Sequence, residues 1–208
     1  MKLQAAIVET RELPNIREIV YDRHLRFLPN GTECLFFHSP LNYKFIKKEL
    51  EGLNINFQPL TVENLTIEGY NKLLTSVSFW SRFNAERVLI FQHDSSLLRI
   101  GIEYFFNADY IGAPWKFQAW GGNGGLSLRN PAIMIKIINN EPFDFSKHGN
   151  EDIYFSNHTK LVGGILGNNY ICNEFSCETI FKLGTFGYHA IEKYLSTSEV
   201  EQIKNQYN

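Results

Sequence analysis

Four apolar residues, Val88-Leu89-Ile90-Phe91, give way abruptly to five polar ones, Gln92-His93-Asp94-Ser95-Ser96. A short, β-rich apolar run fits a strand buried on both faces of a sheet. The carboxyl end of such a strand is where open α/β sheets bind ligands. A carboxylate at that end can hold a divalent cation against a phosphate, because hard cations prefer oxygen ligands. Asp94 is therefore the first candidate ligand, with Ser95 and Ser96 beside it in the same polar stretch. Ser96 stands where a second acid would complete an Asp-x-Asp pair. Mg²⁺ or Mn²⁺ bound here would take most of its other ligands from a diphosphate and water. His93 is expected on the face of the strand opposite to Asp94.

Two further segments carry groups that such a site would need. Asn150-Glu151-Asp152-Ile153-Tyr154-Phe155 opens an apolar helical segment with two acids. Acids in that position can simply cap the helix and complement its dipole. Alternatively, one of them serves as general base toward an attacking hydroxyl. Neighbouring helix residues diverge by about 100°, a poor arrangement for the two carboxylates that flank a glycosidic bond in a hydrolase. The geometry favours transfer over hydrolysis. Phe186-Gly187-Tyr188-His189 offers a histidine, either a satisfied structural residue or the partner that a cation on Asp94 requires. Between Asp94 and Glu151 lies Gly121-Gly122-Asn123-Gly124-Gly125, followed by Leu126-Ser127-Leu128-Arg129. Four glycines in five positions allow close backbone approach to a ligand, or positive φ.

The elements that must position these groups alternate. Residues 3–9 read as a strand, and 14–28 as a helix with Ile16, Ile19, Val20, Leu25 and Leu28 at helical spacing. A strand over 32–38, a helix over 43–50, and a strand over 55–60 follow. One helix is expected over 66–83, with Tyr70, Leu73, Leu74, Val77 and Trp80 along a face. Strand alternating with helix builds a mainly parallel sheet with helical crossovers, a Rossmann-like α/β fold. Beyond Asp94 the pattern predicts a helix near 99–106, a short strand from Tyr110 ending in a turn at Trp115, and a helix over 131–138. No repeat or linker interrupts the chain, so residues 1–208 are expected to form one domain. No GxGxxG follows the first strand, which argues against a dinucleotide oxidoreductase, and no Gly-Lys-Ser/Thr makes a P-loop. Glu9-Thr10-Arg11 stands there instead, either touching a nucleobase or ribose or forming a solvated turn.

With 208 residues, a formal charge of −2 and scattered Lys and Arg, the chain has a full core but no basic face for nucleic acid. A nucleotide bound through a metal needs no such face, because the cation supplies positive charge locally. Three cysteines, Cys34, Cys172 and Cys177, lack zinc-ligand spacing, and their odd number suits a reducing compartment. The apolar stretch before Glu9 is too short for a signal peptide, and no run of about 18 apolar residues exists to span a bilayer. The expected location is cytoplasmic, with a peripheral membrane position open.

Six co-linear segments, YNKLLTSVSFW (70–80), VLIFQHDSSLL (88–98), DYIGAPW (109–115), GGNGGLSLR (121–129), EDIYFS (151–156) and FGYH (186–189), resemble a family of bacterial and viral glycosyltransferases. That family is known mainly as a domain of unknown function with a glycosyltransferase-A-type fold, and the similarity runs from about Val8 to His189. It implies an inverting, metal-assisted transfer of sugar from a nucleotide-sugar donor to a hydroxyl of a glycan or lipid-linked acceptor. In that reading Asp94 and His189 hold the metal, Mn²⁺ or Mg²⁺. Asp152 is the base, and Glu151 contacts the acceptor. Gly124, Gly125 and Ser127 line the sugar pocket, and Trp115 stacks on a sugar ring. Asn71 and Thr75 sit on the helix beside the nucleotide. Ser96 departs from the motif. Two rivals are a nucleotide-sugar-binding protein without transferase activity and a metal-dependent hydrolase of nucleotide diphosphates.

Overall fold

The structure, a computed structural model, describes residues 1–206. Six strands form the main sheet in the order β3-β2-β1-β4-β7-β6. These are β1 (Leu3–Val8), β2 (Glu33–His38), β3 (Ile55–Pro59), β4 (Arg87–Phe91), β6 (Tyr110–Gly112) and β7 (Leu126–Arg129). β3, β2, β1 and β4 run parallel, whereas β7 is antiparallel to both β4 and β6. The central strands are buried on both faces, as their apolar runs require. Along β4, Leu89 and Phe91 enter one core while Val88 and Ile90 enter the other. Ala5 and Ile7 of β1 face the first core and Ala6 the second, so the two layers of packing share one sheet.

A second sheet carries β5 (Ser95–Leu97), β9 (Gly187–His189) and β8 (Ser176–Cys177), in that order. β5 and β9 pair antiparallel, with Ser95 opposite His189. The stretch that the sequence places in a ligand loop is thus a strand, and its partner brings His189 to Asp94.

The helices are α1 (Tyr43–Glu49), α2 (Ile67–Leu74), α3 (Val77–Trp80), α4 (Pro131–Asn140), α5 (Phe145–His148), α6 (Glu151–His158), α7 (Asn169–Phe175), α8 (Ile191–Tyr194) and α9 (Thr197–Asn205). Two expected helices are broken, each by a polar side chain competing for the backbone. Over 14–28 only a π-turn (Glu18–Asp22) and a 3₁₀ turn (Leu25–Phe27) form. His24 drops into the core, stacks on Phe91 at 4.0 Å and donates Nδ1–H to the Ile19 carbonyl. The 66–83 helix divides into α2 and α3. Thr75 Oγ1 donates to the Asn71 carbonyl, and Ser76 accepts the Phe79 amide as the cap of α3. Near 99–106 only a 3₁₀ turn, Ile102–Phe105, is present. Cys34, Cys172 and Cys177 are free and buried. No helix among the described residues is long and apolar enough to cross a membrane.

Candidate active site

A cavity of about 480 Å³ opens beyond the carboxyl ends of β1 and β4, within the roughly 300–1,000 Å³ usual for ligand sites. Thr10 and Arg11 from the turn after β1, Asn71 and Tyr70 from α2, Gln92 and His93 after β4, Gly124 and Gly125 before β7, Glu151 and Asp152 from α6, and His189 from β9 all line it. Eight of the residues singled out in the sequence therefore meet in one place. Thr75, Asp94, Ser95, Ser96, Trp115 and Ser127 do not line it.

Five of these six have identifiable duties elsewhere. Thr75 turns back onto its own helix. Ser95 is fully buried, with Oγ bonded to His24 Nε2 at 2.9 Å and to the Gln92 carbonyl. Ser96 donates to the Leu97 carbonyl. Ser127 Oγ donates to the Gly124 carbonyl and accepts from Arg129 Nε. The Trp115 ring is covered by Phe117, stacked at 5.3 Å, so its face is closed to a sugar. β4 ends at Phe91, before His93; His93 Nδ1 reaches Arg11 at 3.2 Å, whereas the Asp94 carboxylate meets His189 and Lys193.

Asp94 stands just behind the cavity wall. His189 Nε2 lies 3.3 Å from Asp94 Oδ1 and 3.1 Å from Gln92 Oε1, while Lys193 Nζ holds Asp94 Oδ2 at 2.9 Å. Asp94 Oδ1 is buried and makes no aligned hydrogen bond, although the charge of His189 is near. The backbone reinforces the pair, since the Ala190 amide donates to the Asp94 carbonyl at 2.9 Å with Ala190 at φ 48°. The other face of the ring, Nδ1, is held by Glu178 Oε1 at 3.0 Å. Burial lowers the His189 pKa, but the flanking Asp94 and Glu178 carboxylates prevail and push it up to about 9. Burial would raise the Asp94 carboxyl, yet His189 and Lys193 outweigh it and hold the group far below its usual range.

These groups fit a divalent cation. A carboxylate that orients the second nitrogen of a histidine is the usual support of a metal-ligating imidazole. An orphaned carboxylate oxygen, an amide oxygen and, once it gives up its proton, Nε2 form a donor set for Mn²⁺ or a similar ion. Lys193 competes with such an ion for Asp94. Lys193→Ala is therefore expected to tighten Mn²⁺ binding several-fold in an EPR titration of free Mn²⁺. Equal or weaker affinity would show that the ammonium does not compete.

Asp152 is the second chemical group on the wall. Its Oδ2 accepts the Gly124 amide at 3.2 Å and its Oδ1 the Ile153 amide at 2.8 Å. Burial, then the neighbouring Glu151 charge, pushes its pKa up to about 6. A carboxylate tuned toward neutrality is well matched to proton abstraction.

Glu151 has a different role from the acceptor contact expected for it. Both its oxygens are taken by fully buried Arg129, with Nη1 at 2.5 Å and Nη2 at 2.9 Å, and its amide donates to Asn71 Oδ1 at 2.5 Å. The Arg129 guanidinium also lies over Tyr110, Phe155 and Trp80 at 5.0 to 5.8 Å. Arg129 is the site residue that sequence reasoning missed, because its partner is 22 positions away and nothing local marks the pair.

The glycines make room for protein rather than for ligand. A Cβ on Gly124 would lie 2.4 Å from Glu151 Oε1, and one on Gly125 only 2.1 Å from His189 Nε2. Two consecutive residues thus abut the base candidate's neighbour and the cation ligand. Of the four, only Gly121 has positive φ.

A second group of potential ligands, Glu141, His148 and His158, gathers away from the cavity, its donor atoms within 4.8 Å of one another. His148 Nδ1 accepts the Asp144 amide, so in the neutral ring Nε2 carries the proton and donates to Glu141 Oε1. That tautomer makes the group a hydrogen-bonded clasp between α4, α5 and α6.

A mostly parallel sheet flanked by helices, with its ligand cavity beyond the strand ends, defines a glycosyltransferase-A-type fold, and solved structures agree. Mouse xyloside xylosyltransferase 1 superposes with a TM-score of 0.60 at 10% identity, over 94% of this chain and 100% of that one. The glycosyltransferase GlyE of Streptococcus pneumoniae gives 0.55 at 12% identity, over 95% of this chain and 55% of that one. A mannosyltransferase of Pyrobaculum calidifontis, in complex with GDP-Man and Mn²⁺, gives 0.52 at 12% identity, over 81% of this chain. The chain spans about half the length of these last two proteins, 55% of each. No curated protein matches in sequence. Residues 54–189 match the family described as protein of unknown function (DUF5672), and the chain belongs to that family.

Proposed function

We propose that the protein transfers a sugar from a nucleotide-sugar donor to a hydroxyl of a glycan or lipid-linked acceptor. The observation that carries this reading is the joining of two unlike groups by Gly124-Gly125. Gly124 holds the half-buried, raised-pKa Asp152, and Gly125 abuts His189 of the Asp94 cluster. Asp152 accepts the acceptor proton, and its fixed position orients the hydroxyl for attack. In this reading Thr10, Arg11 and His93 hold the donor, while Asn71 and Glu151 keep α6 in register, Asn71 through the Glu151 amide and Glu151 through Arg129. Arg11 is clamped by Glu9, with Nη2 to Oε2 at 2.6 Å, so the wall offers little cationic charge to a diphosphate of its own. Asp94, His189 and Gln92 would hold a Mn²⁺ or Mg²⁺ ion, which would supply charge neutralisation to the leaving diphosphate. The mannosyltransferase carrying GDP-Man and Mn²⁺ on the same fold supports this choice. The Lys193 contact to Asp94 favours the alternative of donor binding without transfer.

Thermal unfolding with UDP-, GDP-, dTDP- and CMP-sugars, with and without Mn²⁺, tests the donor reading, since a ligand selective for the native state raises Tm. A rise for one nucleotide class that requires Mn²⁺ and disappears in Asp94→Ala is expected. A rise indifferent to Mn²⁺ would remove the cation from Asp94 and His189, and no rise at millimolar ligand would remove the donor.

A further inference from the structure

We propose that the Tyr70 hydroxyl donates a hydrogen bond to the leaving phosphate oxygen of the donor; this contact rests on the transferase reading above. Tyr70 is half-buried, packed against the second core, and it also lines the cavity. Its backbone amide donates to the Thr66 carbonyl at 2.9 Å, which holds it within α2. The next residue, Asn71, accepts the Glu151 amide at 2.5 Å and staples α2 to α6. The phenol therefore has a fixed place on the wall, near the acids that open α6 and beside Gln92.

Its surroundings keep it protonated and aim the proton. Burial, then the Glu151 charge, hold the phenol above its ordinary range, against the opposing pull of the Gln92 side chain. That pull favours the anion, so Gln92 approaches the phenol oxygen as a donor, through its NH₂ group. The other end of the same carboxamide is engaged, since Gln92 Oε1 lies 3.1 Å from His189 Nε2. A phenol oxygen that receives an N–H directs its own hydrogen elsewhere, and the open side is the cavity. Gln92 thus joins Tyr70 to the His189 side, where the diphosphate sits in the transferase reading. The chemistry there calls for a neutral donor. The sugar C–O bond breaks with its electron pair on the phosphate oxygen, the acceptor oxygen bonds the sugar carbon, and Asp152 takes the acceptor proton. Negative charge grows on the leaving oxygen, and a fixed donor binds it more tightly than it binds the ground state. Tyr70 keeps its proton throughout. With Arg11 clamped by Glu9, the phenol supplies a donor that the wall otherwise lacks.

The test uses UDP, GDP, dTDP and CDP, each beside its monophosphate, with Mn²⁺ present. Calorimetry compares the full chain with Tyr70→Phe, which keeps the ring and loses the hydroxyl. At least one diphosphate is expected to bind the native chain and to lose about tenfold or more in affinity in Tyr70→Phe, on the scale of one hydrogen bond to a charged group. Its monophosphate should bind both chains alike. Equal losses for the two nucleotides would move the hydroxyl to the base, ribose or first phosphate, and no loss would remove it from the site; either overturns the assignment. In the chain labelled with 3-fluorotyrosine, the fluorine resonance missing from Tyr70→Phe is expected to shift with the diphosphate and not with the monophosphate. A diphosphate that binds without moving that resonance sinks the phenol's role and leaves the donor reading intact. If no diphosphate binds the native chain at millimolar concentration, the donor reading falls and the phenol's role falls with it.

Discussion

Asp152→Asn is expected to lower sugar transfer by about 10² to 10⁴-fold, the range for loss of a general base, while the protein stays folded. The amide oxygen can accept only one of the Gly124 and Ile153 N–H groups that the two carboxylate oxygens hold, so the proton acceptor is lost together with one backbone hydrogen bond. The pH dependence has a definite sign. In the folded protein Asp152 titrates at about 6, above its ordinary 3.8, because burial and Glu151 disfavour the anion. Transfer should therefore rise with pH through about 6, as the basic form appears. Stability runs the other way: the folded state binds this proton more tightly than the unfolded chain does. The contribution of Asp152 is thus most favourable below pH 4 and is lost as pH rises through 6. At neutral pH the Asn variant should melt at the same temperature or slightly higher, as expected where function is maintained against stability. Turnover close to that of the native chain, in a folded variant, would remove Asp152 from the proposed reaction.

Arg129→Leu should destabilise the fold by about 3–5 kcal/mol, the usual cost of leaving one member of a buried ion pair behind. Arg129 is fully buried, and its removal strands the Glu151 carboxylate; the Gly124 carbonyl and Ser127 Oγ each lose a contact but keep their bond to each other. The double variant Arg129→Leu/Glu151→Leu should regain most of the loss, since it removes both charges together. Urea unfolding of the two variants beside the native chain measures this directly. A loss below about 1 kcal/mol for Arg129→Leu, on the scale of an exposed pair, would mean that the contact is incidental.

The central strands were legible because burial on both faces leaves continuous apolar runs, as in Val88–Phe91 and Leu35–Phe37. Asp152, His189 and Arg11 were legible as polar residues at element ends and Asn71 only through the family resemblance, and the fold brings the four to one cavity. The misses share a cause. Hydroxyls at Thr75 and Ser76, and the imidazole of His24, divert backbone groups that hydrophobic spacing assigns to helices. The pairing of β5 with β9 leaves no periodic trace, because each strand has three residues and four of the six, Ser95, Ser96, Gly187 and His189, are polar or glycine. Ser95, Ser96 and Ser127 looked like ligand contacts since small hydroxyls in a polar loop resemble them. Their true partners are protein groups distant in sequence or on neighbouring backbone.

The Asp94 carbonyl that receives the Ala190 amide has a consequence for how short this protein can become. Asp94 and His189 are stapled twice, once by charge between side chains and once by backbone. A version cut back before residue 187 would lose β9, expose the edge of β5 and dissolve half of the cation cluster at a stroke. Shortening from that end is therefore all or nothing, and the last permissible stop lies beyond Ala190.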